Sequence, residues 1–111
     1  MPDYPRIRSR QEYDRVFKEG KRYSTGSMVL YYRENGSGFT RYGYAVGKRV
    51  GTAIRRNRIK RRIREAVKQI YDEITGGYDL VIVARREAEF SEIVLDLKRL
   101  LSQARIFENT R

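Results

Sequence analysis

The 111 residues carry 25 Lys and Arg against 14 Asp and Glu, a formal net charge of +11, and 40% of them are hydrophobic. That length fits one domain with one small core, and nine Tyr with four Phe are too many for a disordered basic tail. With no Cys and no His, the chain has no disulfide, no Ser-His-Asp or Cys-His site and no Cys-ligated zinc.

Ser9-Arg10-Gln11-Glu12 has the form of a capping box and predicts the start of a short helix. Tyr13, Val16 and Phe17 follow at i, i+3 and i+4, and Gly20 can end it. A short extra strand is possible around Gly20 to Tyr23. Ser27 to Tyr32 is β-branched and aromatic and reads as a strand, with a turn-rich loop from Arg33 to Gly38 after it. Phe39 to Val46 reads as a second strand, antiparallel to the first if Asn35-Gly36 closes a hairpin. Alternation puts Val29 and Tyr31 on one face and Met28, Leu30 and Tyr32 on the other, and leaves open which set is core. A long helix is expected from about Ala53 to Ile74, because Ile59, Ile63, Ala66, Val67, Ile70 and Ile74 form one apolar stripe. Gly76-Gly77 stops it. Tyr78 to Ala84 is a near-continuous apolar run, as a strand buried on both faces requires. Ser91 can cap a final helix whose stripe is Val94, Leu97, Leu101 and Ala104. The expected class is α+β, with helices packed on one sheet.

The charge is concentrated. Residues 35–64 hold ten basic side chains and no acidic one, whereas residues 65–111 hold seven basic and nine acidic. On the long helix, Asn57, Arg61, Arg64 and Lys68 step by 4, 3 and 4 opposite the apolar stripe, with Arg58 beside them and Lys60 and Arg62 flanking it. A solvated face without a partner is the alternative, but like charges at helical spacing cost stability. Arginine's planar fork suits bidentate phosphate contacts. The apolar side of the helix is aliphatic and needed for the core, which argues against a membrane surface. No apolar run reaches membrane-spanning length, and Met1-Pro2-Asp3-Tyr4-Pro5 has no hydrophobic segment of a signal peptide. A soluble, cytoplasmic protein is expected. The acidic side chains show no metal-ligand spacing.

The run from Val46 to Glu65, with Arg56-Asn57-Arg58, then Lys60-Arg61, then Arg64-Glu65, resembles the signature of the protein subunit of bacterial ribonuclease P. Tyr13 to Lys18 resembles the family's first helix, Val29-Leu30-Tyr31 its first long strand, and Asp79 to Arg86 its strand ending in two basic residues. The resemblance covers about residues 6–107 and implies one domain over residues 1–111. The implied fold is a four-stranded mixed sheet in α-β-β-β-α-β-α order with a left-handed βαβ crossover. The implied function is that of a non-catalytic partner of a catalytic RNA that removes the 5′ leader of precursor tRNA, with Mg²⁺ bound mainly by the RNA and the substrate. Carried over residue by residue, Arg56, Asn57, Arg58, Lys60, Arg61 and Arg64, with Lys48 and Arg49 before them, match the surface that faces the catalytic RNA. Tyr13, Phe17, Val29 and Tyr31 match a cleft for the single-stranded leader, and Arg85 and Arg86 a basic pair near leader or metal. Tyr13 stands where a Phe is usual, and Gly47 where a Ser is common. A structural RNA binder of ribosomal type and a standalone carboxylate nuclease are the competing readings.

Overall fold

A computed structural model describes residues 4–108. Helix α1 (Arg10–Glu19) is followed by strands β1 (Lys21–Ser24), β2 (Met28–Glu34) and β3 (Arg41–Ala45), helix α2 (Ala53–Ile70), strand β4 (Tyr78–Ala84) and helix α3 (Phe90–Gln103). This is the α-β-β-β-α-β-α order, including the short strand after Gly20. The capping box forms as expected: the Ser9 hydroxyl accepts from the Glu12 backbone N–H, and the Glu12 carboxylate accepts from the Ser9 N–H, both at 3.1 Å. Gly20 ends α1 where its backbone presses on β2. A Cβ there would lie 2.5 Å from the Val16 carbonyl oxygen and 2.7 Å from that of Tyr32.

The strands lie in the order β1-β2-β4-β3. β2 is antiparallel to both β1 and β4, while β3 runs parallel to β4 and reaches it through α2. The hairpin between β2 and β3 does not form. Asn35-Gly36 does turn the chain, with Gly36 at φ 72°, but β4 inserts between the two strands and takes the hydrogen bonds of both. Its unbroken apolar run suits that central position.

β2 alternates as a two-sided strand must. Met28, Leu30 and Tyr32 are buried, whereas Val29 and Tyr31 are only half-buried. The buried set joins Leu80 and Ile82 of β4, Tyr42 of β3, Ile59, Ile63, Val67 and Ile70 of α2, and Ile93, Leu97, Leu100 and Leu101 of α3 in the main core. Two helices therefore cover this face completely. α1 packs on the opposite face through Val16, which meets Ile7 and Val81 in a separate small cluster. Two local expectations need correction. α2 ends at Ile70 rather than Ile74: Tyr71–Glu73 tighten into a 3-10 turn, and Ile74 stays buried by bridging to Phe107 instead. α3 starts at Phe90 with Glu89 in the N-cap position, so Ser91 lies one residue inside the helix and does not cap it. No helix among the described residues is long and apolar enough to cross a membrane.

Candidate RNA interface

Strand register sorts the α1 face of the sheet into three rows. Arg33, Asp79 and Arg41 lie side by side across β2, β4 and β3; Tyr31, Val81 and Gly43 form the next row; Val29, Val83 and Ala45 form the third. α1 crosses only the first two. At its start, the Arg41 guanidinium donates to both carboxylate oxygens of Asp79, at 2.9 and 2.7 Å, and to Glu12 Oε2 at 2.6 Å. At its end, Glu19 pairs with Arg33 at 3.3 Å. The bond from Arg41, helped by the N–H groups of Ser9 and Arg8, holds the Glu12 carboxyl at about 2, well below its ordinary range. The reciprocal bonds to Asp79 and Glu12 push the Arg41 pKa up. One guanidinium thus ties helix, edge strand and central strand together.

Over the second row, Tyr13 and Phe17 stand as a wall. Phe17 meets the Tyr31 ring edge-on, with centroids 4.8 Å apart. The Tyr13 ring lies on Gly43, where a Cβ would come within 2.5 Å of its hydroxyl and 2.8 Å of its Cε1. Only a residue without a side chain lets the ring sit this low. The third row carries small aliphatic groups that remain half-buried. At its far end it opens into a groove of about 480 Å³ lined by Gly47, Arg49, Val50, Val83, Ala84 and Arg85. Arg22 of β1 closes the other side, its Nη1 3.4 Å from the Tyr31 hydroxyl. The result is a trough with an aliphatic floor, an aromatic wall and a rim of Arg22, Arg49 and Arg85. Three strands at about 4.8 Å spacing make it about 10 Å across.

The structure therefore brings Tyr13, Phe17, Val29, Tyr31 and Arg85 around one trough. Arg85 is held to the β1–β2 turn, its backbone N–H donating to Ser27 O at 2.8 Å and its Nη1 to Thr25 O at 3.2 Å. Arg86 takes a different direction. It forms a two-point ion pair with Glu92 in the first turn of α3, at 2.5 and 3.3 Å. Val83 and Ala45, two of the three floor residues, escape sequence reasoning: alternation says nothing inside the run of β4, which is apolar on both faces, and Ala45 joins the row only through the register of β3 with β4. Gly43 and Arg22 escape it because their roles appear only with the register.

Helix α2 starts at the groove. Thr52 caps it, accepting from the Arg55 N–H at 3.3 Å, and the turn Lys48–Val50 precedes it. Part of its positive charge is spent inside the molecule. Arg56 Nε donates to Gly51 O at 3.2 Å, Arg58 pairs with Glu87 at 3.1 Å, and Arg62 donates to Ala88 O at 2.7 Å. These bonds fasten α2 to its own leading loop and to the segment after β4. Asn57 and Arg61 are exposed and Lys60 half-exposed. Among the described residues Lys48, Arg49, Lys60 and Arg61 form no ion pair, and no three Asp or Glu side chains are grouped as metal ligands. Among the described residues the site combines exposed cations with an aromatic-walled trough.

A sequence model named Ribonuclease P matches residues 1–105. The chain belongs to the ribonuclease P protein family. The ribonuclease P protein component of Roseiflexus castenholzii is 36% identical over 107 residues, covering 93% of this chain and 88% of the relative. That of Oceanobacillus iheyensis is 37% identical over 110 residues, covering 96% and 91%. Among solved structures, the Staphylococcus aureus RNase P protein superposes with a TM-score of 0.84 at 29% identity, over 95% of this chain and 99% of that one. The RNase P protein from Thermotoga maritima superposes with a TM-score of 0.81 at 31% identity, over 90% and 97%. The ribonuclease P fold extends over nearly the whole molecule.

Proposed function

We propose that this chain is the protein subunit of a ribonucleoprotein ribonuclease P in the bacterial cytoplasm. It grips the catalytic RNA with α2 and the Lys48–Val50 turn, and the 5′ leader of precursor tRNA in the trough. The observation that carries this reading is the uncovered Val29–Val83–Ala45 row, walled by Phe17 and rimmed by arginines, next to the N-terminus of a strongly basic helix. An unpaired strand stacks its bases on exposed rings while cations track its phosphates. A trough about 10 Å across, three strands at about 4.8 Å spacing, takes one strand in this way. The aliphatic floor carries few hydrogen-bonding groups to read bases, so the trough favours a single strand over a particular sequence.

The division of labour follows from the side chains present. With no His and no Cys, the protein has little to offer the cleavage step. That step belongs to the RNA, with Mg²⁺ held by RNA and substrate. Arg85 and Arg49, where the trough meets α2, place positive charge beside the junction of leader and catalytic RNA. There they screen phosphates that would otherwise repel each other.

The test mixes protein, bacterial ribonuclease P RNA and labelled precursor tRNA at low and high Mg²⁺. Protein alone is expected to cut nothing, and the mixture to cut at lower Mg²⁺ than the RNA alone. Cleavage by the protein alone would establish a nuclease of its own. Tight RNA binding with no effect on cleavage would establish a structural RNA binder of ribosomal type.

A further inference from the structure

Two carboxylates are buried among the described residues, Asp79 and Asp96. Asp79 has the Arg41 guanidinium to balance it. Asp96 lies on the covered side of α3 with Ile93, Leu97 and Leu100, and no Lys or Arg of the described residues pairs with it. A buried charge without a counter-ion costs stability, and an apolar side chain would pack there at less cost. Its partners are two hydroxyls from the turn between β1 and β2. Ser27 Oγ donates to Asp96 Oδ2 at 2.5 Å, and Thr25 Oγ1 donates to the same oxygen at 3.1 Å. Ser27 is itself buried, and the Thr25 N–H closes the turn on Met28 O at 2.9 Å.

The same two residues hold Arg85. Ser27 O accepts from the Arg85 backbone N–H, and Thr25 O accepts from its Nη1. The turn thus gives its hydroxyls to Asp96 and its carbonyls to Arg85. α3 covers the packed face of the sheet, whereas Arg85 follows β4 at the parity of Val81 and Val83 and lines the groove at the end of the trough. One three-residue turn therefore links the two faces. A guanidinium has five N–H donors, and the bond to Thr25 O is the one that the exposed Arg85 side chain forms among the described residues. The rest of its fork is open to the groove. A long cationic side chain loses rotamer freedom when it binds, and holding it beforehand removes part of that cost.

We propose that Asp96 is a positioning residue for leader binding. From the packed face it fixes the Thr25–Ser27 turn, and through the two carbonyls of that turn it sets Arg85 at the rim of the trough. The ligand of Arg85 is a backbone phosphate of the leader. This inference rests on the reading of the trough as the leader site. It gives a role to a buried charge that the packing of α3 does not require.

The test measures binding of a labelled single-stranded leader oligonucleotide to full-length protein over a range of KCl concentrations, with thermal melts and with ribonuclease P RNA as a second ligand. The proteins are wild type, Asp96→Ala, Asp96→Asn, Ser27→Ala, Arg85→Gln, and Arg85→Gln combined with Asp96→Ala or with Ser27→Ala. Arg85→Gln is expected to weaken leader binding about tenfold, as losing one charge-assisted contact does, and to reduce the salt slope by about 0.7, the value for one phosphate of a single strand. Asp96→Ala is expected to weaken leader binding severalfold and to lower the slope in the same direction, with affinity for the catalytic RNA unchanged. On the Arg85→Gln background the same substitution should add nothing, because the two act as one unit. Asp96→Asn keeps an oxygen for both hydroxyls and should restore most of the affinity. Wild-type leader binding by a folded Asp96→Ala protein overturns the proposal. So does an equal loss with and without Arg85, or a loss in Asp96→Asn as large as in Asp96→Ala. Should Asp96→Ala fail to fold, Ser27→Ala decides: it removes the shorter bond to Asp96 but keeps the carbonyl, and weaker leader binding that vanishes on the Arg85→Gln background is expected, whereas unchanged binding overturns the link. If wild type itself does not bind the leader, the reading of the trough falls; if wild type binds and the Asp96 and Ser27 variants match it, only the role of Asp96 falls.

Discussion

The two faces of the sheet are built from the same strands and treat their residues in opposite ways. On one face, α2 and α3 cover Leu30, Leu80 and Ile82 completely. On the other, the ten residues of α1 cover two rows and leave the third half-exposed. Parity thus decides which face a strand position joins, and its row decides whether α1 covers it. Neighbours such as Val29 and Leu30 carry different jobs at nearly the same place. A small domain can hold an open trough because one fully packed face supplies most of the stability, so the other need not be closed.

Substitutions that cross from one face to the other sharpen that contrast. The largest effect is expected for Leu30→Ala, which should lose about 2–5 kcal/mol of stability in chemical denaturation, and leader affinity only as far as the protein unfolds. Gly43→Ala comes next. The new methyl displaces the Tyr13 ring and should cost about 1–3 kcal/mol as an overpacked site, while also weakening leader binding; a variant that kept both would show that Tyr13 is not seated on Gly43. Phe17→Ala should leave the melting temperature nearly unchanged, since Phe17 is exposed on one side. Its leader affinity should fall by about 1–3 kcal/mol, the worth of one stacked base, read by titration with a labelled single-stranded oligonucleotide. Arg61→Ala should do the reverse of Phe17→Ala: affinity for the catalytic RNA drops and its salt slope shrinks by about 1, with leader binding intact. Loss of the same function by both variants would erase the division of faces.

The smallest effect concerns acid. The Glu12 carboxyl is held at about 2, against an ordinary value of 4.5. A carboxyl with a lowered folded-state pKa stabilises fully above its unfolded value and loses that contribution as pH falls. The bridge from Glu12 to Arg41 should therefore weaken between about pH 4.5 and about 2. In Arg41→Met, which has no bridge to lose, tertiary fluorescence should change less steeply across that window than in wild type. Equal slopes would show that Arg41 does not anchor α1.

Much of this was legible before any coordinates. The Ser9–Glu12 capping box, the isoleucine stripe of α2 and the two-sided run of β4 are local patterns, and each formed. The hairpin that the sequence left conditional shows where local reading stops. Asn35-Gly36 makes its turn, but whether β2 pairs with β3 depends on a strand more than thirty residues away. The same limit explains the trough. Tyr13, Phe17, Val29 and Tyr31 were identified by resemblance, whereas Val83, Ala45 and Gly43 needed the register of three strands. The bonds of Arg58 and Arg62 to the segment after β4 are equally invisible in the sequence, because Glu87 and Ala88 lie 29 and 26 residues beyond them on the chain. A helical wheel shows where cations point but not which of them are already engaged.

The insertion of β4 between β2 and β3 also sets an order of events during synthesis. Val29 and Ala45 leave the ribosome early, yet nothing joins them until Val83 has emerged and been threaded between their strands. A nascent chain that ends before residue 84 carries the arginines of α2 but has no complete trough floor. If α2 and the trough bind RNA as proposed, attraction to polyanions precedes discrimination among them, and the unfinished chain is at its least selective while translation is still under way.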